Sequence, residues 1–432
     1  MRQAAPDEAS LKAARALARP GPWSETGATE TLVWGKCQGS GKTPYQVSID
    51  LVAPAYRCSC PSRKFPCKHA LALLLLWTSG DDISQVSEPS AYAAQWAADR
   101  ADRAASGAAR SAARAARAAD PDSASESVEA RAARRAARVA TMDAGLADFG
   151  LWLRDVVRGG TAAARSKEPS WLEATAARLV DAQCPVLAAE VRELSRTLVV
   201  GTEWNGQVMA ALGRMWTVVQ AWQRREDLTE DEQADLRAAL GWSWPTEEIL
   251  ARGSVSDDWL VLGAHRVDQG RLAEQRTWLR GQASGATRLL LDFAAGGQPL
   301  PMPRVTGAVL TGALASYPGA APQRAVFAEP PSPGAATPYP EGVDVVAAVG
   351  SVAEHRAVNP LARRVPLVLS GVTVTTTQVI DATGRSLPLE GPPPYAALAA
   401  CGGRPATVFG EWSDEGFAPL TVVVDGEAVP CG

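Results

Sequence analysis

One short stretch has the residue types and spacing to hold a metal: Cys58-x-Cys60, six residues, then Cys67-x-His69. Three thiolates and one imidazole are the donor set of closed tetrahedral zinc, so the expected cofactor is one structural Zn2+. Four protein ligands leave no coordination position for water or substrate, and the ion would fasten the chain rather than drive a reaction. A reduced cysteine cluster without metal is the alternative, but the spacing and residue types favour zinc. The chain has seven cysteines, too few and too unevenly placed for a disulfide framework.

Around these ligands Arg57, Arg63, Lys64 and Lys68, together with Phe65, make a basic lid suited to phosphate contacts with one stacking ring, or to a protein partner. The competing reading is a solvated lid with Phe65 packed inward. Gly39-Ser-Gly-Lys-Thr43 imitates a phosphate-binding loop, but its first glycine would fall at Lys36, and Pro44 and a strand follow where a helix is required. Arginines at 100, 103, 110, 114, 117, 131, 134, 135 and 138 recur largely at helical steps and could line a helix face that touches nucleic acid, though a solvated linker explains them better. Trp204, Trp216, Trp222, Trp242 and Trp244 could line a groove, though core packing explains them better. His265 and His355 have no partner motif, Cys37 is a spare thiol near the zinc, and Cys184, Cys401 and Cys431 stand alone. No residue earns a catalytic or organic-cofactor-binding role.

The elements that must position the ligands can be read beside them. Thr31–Trp34 and Tyr45–Val52 read as strands joined across a Gly- and Pro-containing turn, and Ala70–Trp77 reads as a helix apolar on every side. Two ligands then close a strand and two open a helix, so the metal joins elements that share little apolar surface. Residues 1–80 hold ten Lys/Arg against five acids, whereas the whole chain has a formal charge of −4. Residues 91–140 are rich in alanine and arginine, with a break expected across Ala119–Ser127, and read as a partly helical linker. From Met142 to about Leu250 apolar residues recur at helical spacing, including Leu146, Phe149, Leu153 and Val156, then Val208, Leu212, Met215 and Val219. Beyond Asp257 short β-prone runs appear at Trp259–Leu262, Arg288–Phe293, Val372–Ile380 and Leu420–Val424, with Glu329–Pro340 as an exposed loop. The fold class expected is α+β: a zinc module over 1–90, a linker over 91–140, a helical region over 141–255 and a β-rich domain over 256–432.

At its four ligands, and in the flanking Trp34–Tyr45 and Cys58–His69 segments, the chain resembles the SWIM zinc-finger family, in particular a bacterial, actinobacterial-type group with a long C-terminal extension. The resemblance implies a zinc-dependent module for contacts with protein, DNA or RNA, without catalysis. It also implies an association with MoxR-type AAA ATPases and von Willebrand A-domain proteins as partners. The alternative is an enzyme with an unread active site in the C-terminal half. No apolar run reaches the roughly 20 residues of a membrane span and no apolar signal core opens the chain, so a cytoplasmic location is expected.

Overall fold

Short β-prone runs punctuated by turns give the first sheet, and all-round apolar character gives the helix that covers it. The computed structural model describes residues 8–39, 41, 43–51, 55–62, 66–80, 83–100, 102, 121–166, 168–199, 204–268, 272–295, 300 and 304–431. The chain divides into two compact units: residues 1–124 with 266–276 and 292–305, and residues 125–265 with 277–291 and 306–432.

In the first unit, strands β1 (Trp23–Ala28), β2 (Leu32–Cys37), β3 (Tyr45–Asp50) and β4 (Ala55–Cys58) pair in that order as an antiparallel meander. The expected hairpin is its centre: Cys37 pairs with Tyr45 and Leu32 with Asp50. Helix α2 (Lys68–Thr78) lies on the sheet and buries Leu71, Leu73 and Leu76 against Val33, Val47 and Ile49. A side chain at Gly35 would meet Trp23 and Thr26 at 3.0 Å and Leu73 at 3.3 Å, so close approach of helix to sheet requires glycine there. Helix α1 (Glu8–Leu17), not anticipated from the sequence, packs on α2 through the buried Leu11 and Ala14, and the Trp23 indole N–H donates to Leu17 O at 2.8 Å to fix its end.

The expected linker is helical where it is described. Residues 91–100 belong to a helix, α3, whose Ala93 and Trp96 are buried with Leu32 and Trp34. The break expected across Ala119–Ser127 is instead the start of a helix, α4 (Pro121–Gly159), because proline at the first helical position loses no hydrogen bond. Arginines 103, 110, 114 and 117 lie outside the described residues.

The second unit starts with helices α4, α5 (Thr161–Arg165), α6 (Pro169–Asp181), α7 (Pro185–Val199), α8 (Trp204–Gln223), α9 (Glu230–Leu240) and α10 (Thr246–Ala251). The apolar positions picked out by their spacing do form the core: Leu146, Phe149, Leu153 and Val156 meet Val208, Leu212, Met215 and Val219. Trp222 is buried there, while Trp204, Trp216 and Trp242 are half-buried against the same core.

Two six-stranded sheets follow. The first has the order β10-β8-β5-β6-β7 with β9 on β8, built from β5 (Val255–Asp268), β6 (Leu272–Gly281), β7 (Thr287–Ala295), β8 (Val309–Ser316), β9 (Ala325–Phe327) and β10 (Ser332–Pro333). The second has the order β13-β12-β11-β14-β15-β16, from β11 (Val365–Val374), β12 (Gln378–Ile380), β13 (Ser386–Pro388), β14 (Ala406–Trp412), β15 (Phe417–Val424) and β16 (Glu427–Pro430). Helices α11 (Val345–Val358) and α12 (Tyr395–Cys401) cover the second sheet. Leu260, Leu262 and Trp278 of one sheet pack with Phe409 and Leu420 of the other.

Two readings need correction here. Val372–Ile380 is not one strand: the Thr375 hydroxyl accepts from the Gln378 N–H at 3.0 Å and turns the chain from β11 into β12. Glu329–Pro340 is not wholly an exposed loop, because Tyr339 packs against the core between the sheets and donates its hydroxyl to Leu262 O at 2.6 Å.

Candidate metal centre

The β3–β4 ladder delivers the first two ligands. Cys58 closes β4 opposite Val47, and the next residue, Ser59, is tied back to β3: its N–H donates to Gln46 O at 3.0 Å, and its hydroxyl accepts from the Gln46 N–H at 2.9 Å. The residue between the two cysteines thus anchors the chain while Cys58 and Cys60 flank it. Helix α2 delivers the other two. Cys67 is its N-cap residue in extended geometry, its carbonyl accepts from the Leu71 N–H at 3.1 Å, and His69 sits in the first turn.

The four donor atoms lie within 4.8 Å of one another. The His69 Nδ1 is 3.8 Å from Cys58 Sγ and 4.0 Å from Cys67 Sγ. A tetrahedral zinc with bonds of about 2.0–2.3 Å separates its ligand atoms by roughly 3.5–3.8 Å, so the donors fit one ion with little adjustment. His69 and Cys67 are buried and Cys58 and Cys60 half-buried, which suits a closed structural site.

The thiols already favour metal over protons at one position. Hydrogen bonding from Cys58, reinforced by His69 and the Ala70 N–H and opposed by burial, draws the Cys67 thiol below its usual range. Cys58 is pushed up, chiefly by its hydrogen bond to Cys67, and Cys60 is pushed up by burial. A divalent cation replaces the protons these sulfurs would otherwise share. The site holds a single structural Zn2+.

Of the predicted lid, Arg57 and Lys68 are exposed, while Arg63, Lys64 and Phe65 lie outside the described residues. Cys37 is fully buried, its thiol raised to about 11 by burial, and it does not join the donor cluster. Neither His265 nor His355 belongs to that cluster. In the phosphate-loop imitation, β3 begins directly after Pro44, while Ser40 and Lys42 lie outside the described residues.

One supporting residue escaped the sequence reading. The Tyr45 ring lies 4.9 Å from the His69 ring, and both line a cavity of about 510 Å³ shared with Cys60, Lys68 and Ser10. The signal was present in the register: with Val47 opposite Cys58 in an antiparallel pair, position 45 falls level with position 60.

Residues 45–77 match the family model of the SWIM zinc finger, and residues 134–240 match that of the SWIM-associated four-helix bundle domain, the span from α4 to the end of α9. No curated protein and no solved structure matches the chain. With a complete Cys58, Cys60, Cys67 and His69 donor set in the first matched span and the accompanying bundle domain in the second, the chain carries a SWIM-type zinc finger together with its associated helical domain.

Proposed function

We propose that this protein is a non-catalytic recognition factor whose zinc finger presents a contact surface to a macromolecular partner, foremost another protein. The observation that carries this reading is the coordination set: three sulfurs and one nitrogen from the chain satisfy zinc completely, leaving no position for substrate. The ion's role is to fasten the end of β4 to the start of α2. An ATPase-linked assembly of the MoxR and von Willebrand A-domain type, in the cytoplasm, is the setting we propose by family association. Among the described residues no helix is long and apolar enough to cross a membrane.

Nucleic acid is the second reading, favoured by the exposed Arg57 and Lys68, which adjoin ligands in the sequence. Against it, the net charge of −4 gives no general attraction for a polyanion. Fluorescence anisotropy of the zinc-loaded protein with labelled single-stranded DNA, duplex DNA and RNA at several salt concentrations separates the two. Protein recognition predicts no binding to any of the three. Binding that falls steeply with salt, and is lost in Arg57→Glu/Lys68→Glu, would replace it with phosphate recognition. An enzyme of the C-terminal half would instead turn over a substrate with the finger's ligands mutated.

A further inference from the structure

Helix α9 ends in a turn that sets aromatic rings around a cation. Gly241, left-handed at φ 80°, lets its own N–H reach Ala238 O at 3.0 Å and the Trp242 N–H reach Arg237 O at 2.9 Å, the paired bonds of a Schellman motif. The chain folds back, and the Arg237 guanidinium comes to lie 4.5 Å from the centre of the Trp242 ring and 3.7 Å from that of Trp244. From α4, Arg138 approaches the same Trp242 ring at 4.7 Å and Arg135 at 5.8 Å. A cavity of about 380 Å³ opens here, with Arg252 and the acids Glu226, Glu230 and Asp231 also on its wall.

Most of the arginines around this cavity make no ion pair among the described residues. Arg225 is held by Asp143 at 2.9 Å, but among the described residues Arg135, Arg138, Arg237 and Arg252 have no carboxylate within ion-pair distance. Arg237 makes one long bond, from Nη2 to Ser243 O at 3.4 Å, and the Nε groups of Arg237 and Arg138 are enclosed without an acceptor. Burial, then the neighbouring Arg135, draws Arg237 down to about 10 against a smaller opposing effect of Glu248. The two indoles cover the Arg237 guanidinium, and its Nη1 end makes no hydrogen bond among the described residues.

We propose that this cavity binds a carboxylate carried by an acidic side chain of a peptide segment, with Arg237 as the receiving cation. A planar guanidinium edge matches a planar carboxylate through two parallel N–H···O bonds. The wall acids decide the class of ligand. Glu226, Glu230 and Asp231 repel a polyphosphate, yet they suit a basic residue beside the ligand's carboxylate, so a peptide segment of mixed charge fits and a nucleic-acid backbone does not. This site belongs to the second unit and stands or falls independently of what the zinc finger contacts.

The test uses the full zinc-loaded chain, following the indole N–H resonances of Trp242 and Trp244 by NMR. An N-acetylated, C-amidated Gly-Glu-Gly-Lys peptide is titrated against its Gln counterpart and against inorganic phosphate. Saturable shifts with the Glu peptide, with binding about tenfold weaker for the Gln peptide and for Arg237→Lys, are expected, since lysine keeps the charge but lacks the fork. Equal response to both peptides, no response in folded wild-type protein, or tighter binding of phosphate overturns the proposal. Should Arg237→Lys fail to fold, the wild-type comparison of the two peptides decides alone.

Discussion

The Tyr45 ring sits 4.9 Å from the His69 imidazole, tilted by 37°, so the strand that leads into the finger also braces one of its ligands. Tyr45 is itself fixed by pairing with Cys37 on β2. The imidazole therefore meets sulfurs on one side and an aromatic ring supported by the sheet on another. Groups behind the ligands orient them and tune how tightly a metal is held.

Tyr45→Ala should remove this brace while keeping all four donors. Zinc affinity should fall about 10- to 100-fold, whereas Tyr45→Phe, which keeps the ring, should remain close to wild type. Competition against a chromophoric chelator measures both. An unchanged affinity for Tyr45→Ala would mean that α2 alone orients His69.

Cys67→Ala should abolish zinc binding and unfold the finger. Structural zinc contributes on the order of 10–16 kcal/mol in small modules, comparable with or larger than the roughly 5–15 kcal/mol that stabilises a whole domain. Limited proteolysis with mass spectrometry should find β1–β4 and α2 newly cleaved while the core around Leu146, Leu212 and Val219 stays protected. Retained zinc with an unchanged cleavage pattern would refute it.

The zinc ligands were legible because their information is local: spacing along the chain already brings Cys58 and Cys60 to a strand end and Cys67 and His69 to a helix start. The helical region was legible too, since Leu146, Phe149 and Leu153 repeat with the period of the helix that buries them. Tyr45 required the register of a strand pair, which composition does not carry. Trp242 and Trp244 read as ordinary core material because nothing in their spacing shows that a left-handed Gly241 folds them back over Arg237. The turn inside Val372–Ile380 was hidden because threonines suit both a strand and a side-chain-bonded turn.

Contacts distant in sequence were least legible, and one of them should matter most for stability. Glu411 on β14 is fully buried, accepts the Trp278 indole N–H at 2.7 Å, and meets Arg364 at 3.2 Å. Arg364 also forks onto Glu390 at 2.7 and 3.0 Å. Glu411→Ala leaves the indole N–H and part of the guanidinium without an acceptor, and should destabilise the second unit by about 3–5 kcal/mol. In a double-mutant cycle with Arg364→Met, urea denaturation should show losses well short of additive. Strict additivity would mean the two groups are energetically independent.

Asp257 gives the pH dependence its sign. Burial raises its carboxyl, but the backbone N–H groups of Ala283, Ser284 and Asp258 and the Ser284 hydroxyl outweigh it and hold it down to about 2. The bonds measure 3.0 Å from Ala283, 2.9 Å and 2.6 Å from Ser284, and 2.7 Å from Asp258, so one carboxylate organises the turn between β6 and β7. A carboxyl whose folded value lies below its unfolded value near 4 stabilises the fold fully above that unfolded value, and the contribution disappears as pH falls through 4 toward 2. Asp257→Asn should therefore cost about 1–2 kcal/mol at neutral pH, the range for exposed charge-assisted bonds, and the gap to wild type should close on acidification. Thermal melts of both proteins between pH 7 and pH 3 measure this. A gap that stays constant across that range would show that Asp257 acts through its shape and not its charge.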